Sequence, residues 1–413
     1  MNGTLRRRLG PFDAVVIGVG SMVGAGVFAV WAPAAAAAGS WLLLGLVIAG
    51  VVALCNATSS AQLAARHPES GGTYVYARER ISPFWGHVAG WGFVVGKTAS
   101  CAAMAMTAGA YLWPEQARWV ATAAVVVILV VNLGGLERTV SVTRWLLIVA
   151  LISLAIVVVS GVFARDATQV VTATPIDTGP IGVLRSAGLM FFAFAGYARI
   201  ATLGEEVRDP EQTIPWAVPR ALIGVLVLYL VVGGVAVWRV PAGALAISDA
   251  PLATVLDTSR FSGFAWVVDI GAGIACLGVL LNLIPGVSRT LLAMARRREL
   301  PRALATVDTR RQLPVVAEAS VTLVVLVLVH TLTLTTSIAV SGVAVLTYYA
   351  ITNAAALRLT VDERRWPAVL ARIGLIGCVT LVLALPTGSL IGGVAVLAAG
   401  VIARQVSMRL SRS

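Results

Sequence analysis

The chain has 413 residues, of which 58% are hydrophobic and 12% charged, with a mean hydropathy of +0.90. Soluble domains carry about 25% charged residues, so this chain lacks the polar surface that a water-soluble or disordered protein of its length needs, and its solvent is mostly lipid. The net charge of +12 would point to nucleic acid on a soluble protein; on a membrane protein basic residues collect in cytoplasmic loops, and no nucleic-acid partner is expected.

At the N-terminus Arg6 to Arg8, an apolar run and the stretch Ala34–Ala38 imitate a signal peptide. The run carries Asp13 and five glycines between Gly10 and Gly26, and eleven apolar segments follow, so it reads as a retained first span. Spanning helices of roughly 20 residues are expected near 11–38, 41–65, 83–112, 118–134, 140–163, 182–205, 215–238, 263–296, 314–333, 336–357, 367–385 and 387–406, twelve in all. With both ends cytoplasmic, the inside segments hold 23 of the 31 Lys and Arg residues and the outside loops five, Arg118, Arg165, Arg185, Arg239 and Arg260. That bias supports the count as well as the orientation, since one missed helix would invert it. Cys55, Cys101, Cys276 and Cys378 are scattered through apolar runs and fit neither a disulfide framework nor a zinc site. The 30 arginines against one lysine, with heavy Ala, Val and Gly use, suit a GC-rich bacterial genome.

Two spans make poor continuous helices. In the first, Gly18, Gly20, Gly24 and Gly26 surround Ser21 and Met22. Each interior glycine costs about 1 kcal/mol relative to alanine. Close helix packing explains such a stripe; so does an unwound segment whose second half aims free N–H groups at a carboxylate. In the sixth, Phe192, Ala193 and Phe194 precede Gly196, a second candidate break. Breaks in the first and sixth spans are the correspondence expected of a five-plus-five inverted repeat with its substrate site at the midplane.

These residues resemble the amino acid–polyamine–organocation (APC) superfamily. Gly18–Phe28 is similar to its GxGxxxGxGIF signature, and Pro68-Glu-Ser-Gly71-Gly72-Thr-Tyr74-Val-Tyr76 to the loop after its second helix. Gly90-Trp91, the exit Gly204-Glu205-Glu206-Val-Arg-Asp209-Pro210, and Ser288-Arg289 with Ala293–Arg296 and Leu300-Pro301 follow in register. The resemblance implies an all-α, LeuT-type permease of twelve helices: repeats at about 11–163 and 182–357, helices 1 and 6 discontinuous, and two further helices at about 367–406. It implies amino acid transport across the cytoplasmic membrane by alternating access, without a cofactor. Carried over by position, Met22, Gly24, Ala25 and Gly26 would cradle the carboxylate and ammonium. Phe192, Ala193, Phe194 and Gly196 would supply carbonyls and an aromatic lid, and Thr98 and Leu283 would line the side-chain pocket.

The chain departs from the family where substrate and coupling are decided. Gly196-Tyr197-Ala198-Arg199 replaces a glycine–aromatic–acid pattern, Lys97 stands where members with cationic substrates carry an acid, and Ala150 stands where some relatives carry a coupling amine. Arg297 and Arg298 replace an Asp-Gly pair, and Gly271–Cys276 lacks the hydroxyl pair of a sodium site. A neutral, zwitterionic substrate with protons as coupling ion is therefore expected; export and exchange without ion coupling remain open, as does the oligomeric state. Lys97 lies about 13 residues into its helix, roughly 20 Å deep and past the middle of a ~30 Å core. A charge there marks a functional site by default. It either exchanges a proton during the cycle or pairs with Asp13, Asp269 or a carbonyl end of a broken helix. Arg199 either pairs with Asp13 or Glu205 or selects zwitterionic and acidic ligands. His67, His87 and His330 read as interfacial, and Arg296–Arg298 as topology determinants, with a contact to anionic lipid as the lesser alternative. An intramembrane enzyme would need a nucleophile–base pair or metal motif, and a channel a filter-like element; the sequence displays neither.

Overall fold

The computed structural model of the chain describes residues 9–67, 71–134, 140–163, 179–201, 207–259, 261–308 and 313–410. Pro68–Ser70, Gly204–Glu206 and the basic residues Arg6–Arg8, Arg138, Arg165, Arg260, Arg310, Arg311 and Arg412 lie outside them. The described residues are helical, apart from connecting turns and one isolated parallel bridge between Leu9 and Val207.

The first span is three pieces. Helix α1 (Pro11–Met22) opens on a proline, and Asp13 accepts from the Gly10 N–H at 3.1 Å, so one orphan donor of the first turn is satisfied. Helices α2 (Ala25–Ala29) and α3 (Trp31–Ala38) follow, and Gly39 at φ 55° turns the chain out of α3. Helix α4 (Leu42–Arg66) is the second span. The segment that the sequence leaves as a loop holds a short helix, α5 (Thr73–Arg80), entered through Gly71 and Gly72 at positive φ. Helix α6 (Pro83–Leu112) matches its expected limits; Ser82 caps it and Pro83 occupies the first turn.

Helices α7 (Ala117–Leu133) and α8 (Val140–Val162) follow. Next come α9 (Gly179–Phe194), a 3₁₀ turn at Ala195–Tyr197 and α10 (Ala198–Ala201). Helix α11 (Pro210–Arg239) begins five residues before the expected start near 215, because Pro210 opens it where a missing N–H costs nothing. Two short helices, α12 (Ala242–Ile247) and α13 (Pro251–Asp257), lead to α14 (Ala265–Arg296). Helices α15 (Val315–Thr331), α16 (Leu334–Leu357), α17 (Ala368–Ala384) and α18 (Thr387–Leu410) close the chain.

Among the described residues nine helical stretches are long and apolar enough to cross a membrane. The helices α15 and α17 are equally apolar but shorter. At 30 residues α6 is long but outside the nine, since Lys97, Thr98, Ser100 and several glycines dilute its apolar character. Those residues are buried, and α6 packs between α14 and α16 at the centre of the bundle. The α1 segment packs on α11 and on the 3₁₀ turn of the sixth span, and α4 on α9, α11 and α17. Small residues let these backbones approach, as expected where lipid offers no hydrophobic drive between helices.

Candidate functional site

The site starts from the two interruptions. Val23 (φ −77°, ψ 64°) and Gly24 (φ −130°, ψ −135°) leave helical geometry between α1 and α2. The sixth span is milder: it tightens to a 3₁₀ turn over Ala195–Tyr197 rather than extending. Glycine is needed where the two meet. A Cβ on Gly26 would lie 2.6 Å from Ala193 Cα, and one on Gly196 only 2.1 Å from the Ser21 carbonyl oxygen.

Carbonyls freed at the interruptions are met by side chains. The Tyr229 hydroxyl, from α11, donates to Met22 O at 2.7 Å and to Ala193 O at 3.2 Å. Lys97 Nζ donates to Ala195 O at 3.0 Å, and the Tyr349 hydroxyl reaches the same oxygen at 3.4 Å. Of the partners weighed for Lys97, the carbonyl end of a broken helix is the one it meets. Asp13 instead pairs with Arg144 while capping α1.

A cavity of about 260 Å³ lies against both interruptions. The first span contributes Ser21, Met22 and Gly26, the sixth Phe192, Ala193, Ala195, Gly196 and Arg199. Lys97, Ser100 and Met104 face it from α6, and Val279, Asn282, Leu283, Arg289 and Thr290 from α14. Of the residues singled out in the sequence, Met22, Gly26, Phe192, Ala193, Gly196, Leu283, Lys97 and Arg199 are thus brought together. Gly24, Thr98 and Phe194 point elsewhere. Gly24 faces α14, where a Cβ would meet Val279 at 2.2 Å. Ala25 opens α2. The Thr98 hydroxyl turns back to Val94 O at 2.7 Å, and Phe194 packs on Tyr229 with centroids 5.3 Å apart. The sequence argument passes over Ser100, Asn282, Thr290 and Tyr229; a lone amide in an apolar span was the available signal for Asn282. Among the described residues the lining carries Lys97, Arg199 and Arg289 and no carboxylate.

The far end of the cavity reaches Gly71, Tyr74 and Ala293, next to a charged knot. Glu299, just past α14, accepts from the Tyr74 hydroxyl at 3.0 Å, pairs with Arg78 and meets His87 Nδ1 at 3.3 Å. His87 Nε2 reaches Gly400 O at 3.0 Å, tying α18 to the knot. Burial pushes the Glu299 carboxyl up, but hydrogen bonds from His87 and Tyr74 and the charges of His87 and Arg78 outweigh it, so its pKa lies below the ordinary value. A depressed carboxyl contributes stability present above its unfolded pKa and lost as pH falls through the folded one. Glu299→Gln should therefore lower the melting temperature in detergent at neutral pH, by a cost of about 3 kcal/mol for buried donors left facing a neutral amide. The gap from wild type should persist down to pH 4.5, the ordinary value, and close only below it, as the pH falls through the depressed folded pKa; a gap constant with pH would place the stabilisation elsewhere.

Comparison with known proteins agrees with this architecture. The amino acid permease family profile matches residues 9–405. An uncharacterised transporter of Mycobacterium tuberculosis is 53% identical over 411 residues, covering 99% of this chain and 93% of its own. A branched-chain amino acid permease of Bacillus subtilis is 25% identical over 341 residues, 76% of this chain and 72% of its own. A vacuolar cationic amino acid transporter of Arabidopsis thaliana is 28% identical over 341 residues, 75% of this chain and 56% of its own. With a profile spanning nearly its whole length, the chain belongs to the amino acid permease family of the APC superfamily.

Proposed function

We propose that the protein is a secondary active transporter that carries neutral, zwitterionic amino acids across the cytoplasmic membrane by alternating access, coupled to protons through Lys97. The observation that carries this reading is the meeting of two interrupted helices, glycine against backbone, at the head of a cavity with three basic side chains and no carboxylate among the described residues. Freed N–H groups and carbonyls suit both ends of a zwitterion. The basic lining disfavours a cationic substrate, and Phe192, Met104, Leu283 and Val279 offer an apolar wall for an uncharged side chain.

In this reading the chain has twelve spans: the nine apolar stretches, the shorter α15 and α17, and α6. The packing pattern supports a five-plus-five repeat. Exchanging spans one to five for six to ten turns the pair α1–α11 into α9–α4, α6–α16 into α14–α8, α6–α7 into α14–α15, and α4–α16 into α11–α8, all of which pack. Both termini lie in the cytoplasm, where the arginine bias places them, so the cavity, which runs toward Tyr74 and Arg289, faces inward.

Exchange without ion coupling is the second reading, favoured by one observation: Lys97 already has a fixed partner in Ala195 O. Purified protein in proteoliposomes separates the two. Leucine and alanine should accumulate under an inward proton gradient, indifferently to sodium, while arginine should not. Uptake that needs internal amino acid and ignores the gradient would select exchange. If no amino acid is transported, and none raises the melting temperature as RT ln(1 + [L]/Kd) requires, the transporter reading fails.

A further inference from the structure

A separate cavity, also of about 260 Å³, lies where the end of α4, the start of α11 and the turn between α16 and α17 meet. It shares no lining residue with the cavity at the interruptions. Arg66, Arg364 and Arg365 line it, together with Gln62, Glu211 and Glu363. None of the three arginines makes an ion pair among the described residues. Each is held by a main-chain carbonyl instead: Arg365 donates to Glu211 O at 3.0 Å, Arg364 to Leu357 O at 3.0 Å and Arg66, more loosely, to Asp362 O at 3.4 Å. A carbonyl steadies a guanidinium without cancelling its charge, and it takes one of five N–H donors. The carboxylates do not restore the balance. Glu363 is already matched, since Arg80 grips it with bonds of 2.9 and 2.8 Å and the Thr360 N–H adds a third at 3.0 Å. Those bonds hold its carboxyl down at about 2, so the Arg80–Glu363 pair stays charged and mutually neutral across the physiological range. Glu211 stands in the first turn of α11, where the N–H groups of the helix end oppose its charge. Three guanidiniums thus face the cavity against one unmatched carboxylate. Gln62, itself buried, accepts from the Arg365 N–H at 3.3 Å through Oε1, which leaves its amide NH2 as a further donor. Arginines that only set topology need neither a cavity nor fixed heads.

We propose that this cavity is a binding site for a phosphate group, carried by a lipid headgroup or by a soluble anion. A guanidinium fork pairs two N–H donors with two oxygens at once. A tetrahedral phosphate offers enough oxygens to engage three such forks, whereas a planar carboxylate offers two. The ends of α4 and α11 put the cavity at the level of the headgroups, and the exposed Arg66 and Arg365 leave it open to a solute from water. The inference is independent of what the protein transports.

The test uses the full chain in neutral detergent, stripped of lipid, at constant ionic strength. Melting is followed against inorganic phosphate, with acetate as the carboxylate control. Lipid retention is read by native mass spectrometry with phosphatidylglycerol, with diacylglycerol as the control that lacks the phosphate. A soluble source predicts that phosphate raises the melting temperature where acetate does not; a lipid source predicts that phosphatidylglycerol is retained over diacylglycerol. Whichever probe binds, Arg66→Gln should weaken it about tenfold, the weight of one charge-assisted hydrogen bond, and Arg365→Gln should do the same. Arg372→Gln, which removes an exposed arginine of α17 outside the cavity, should bind as wild type. Arg66 is exposed and holds only the long contact to Asp362 O, so without ligand its variant should melt like wild type, which separates lost binding from lost fold. The proposal falls if neither phosphate nor phosphatidylglycerol outbinds its control, if Arg66→Gln loses nothing, or if Arg372→Gln loses as much as Arg66→Gln.

Discussion

Gly196→Ala is expected to reduce amino acid uptake about 100-fold, the scale of a displacement of about 1 Å at a site that demands alignment. The added methyl would sit 2.1 Å from the Ser21 carbonyl oxygen and 2.7 Å from Met22 N, both backbone atoms. Neither can swing aside as a flexible side chain would, so the 3₁₀ turn of the sixth span must move off the first-span interruption. The folding cost of such overpacking is about 1–3 kcal/mol, small enough for the protein to be purified and assayed. Tyr229 would then be unable to reach Met22 O and Ala193 O together. Gly224→Ala is the matched control, because nothing lies within 4 Å of a Cβ there, and it should transport as wild type. Uptake of a labelled neutral amino acid by reconstituted protein measures both; equal activity in the two variants would show that the contact between the interruptions is dispensable.

Lys97→Met should remove the response to protons while sparing exchange. Lys97 is 7% exposed, and its ammonium is held by one carbonyl of the sixth-span turn. A charge kept that far from water is costly, and the side chain lines the cavity in which a substrate would sit. Loss of its proton would weaken the bond to Ala195 O and its return would strengthen it, and in the proposed reading that change is what links protons to the cycle. The variant should show the same initial rate with and without an inward proton gradient, while exchange against internal amino acid continues. A proton-stimulated rate that survives in Lys97→Met takes Lys97 out of coupling.

Much of the helical organisation was legible in the sequence because hydrocarbon forces each crossing segment to satisfy its own backbone. The limits of α6, α8 and α16 fall within a few residues of those expected. Which side chains face the cavity was less legible, for a geometric reason. Consecutive residues on a helix point about 100° apart, so assigning roles to neighbours in a motif overcounts. Lys97 faces the cavity and Thr98 cannot; Phe192 lines it and Phe194, two residues on, turns to Tyr229. Tyr229 itself was hidden in a helix apolar all round, where no periodic pattern marks the inward face. An interruption near Gly24 was one of two readings of the glycine density in the first span, and the further break before Trp31 was not expected; the closeness of Gly196 to Ser21 depends on how separate spans pack, which one sequence does not encode locally.

The chain contains a single lysine, and the bundle has folded it into its interior. Apart from the N-terminal amine, the primary amine open to an amine-selective reagent is therefore the one beside the sixth-span turn, lining the cavity. If the proposed alternating access holds, the rate of covalent capture at that position, read by intact mass, would register opening and closing without an engineered label.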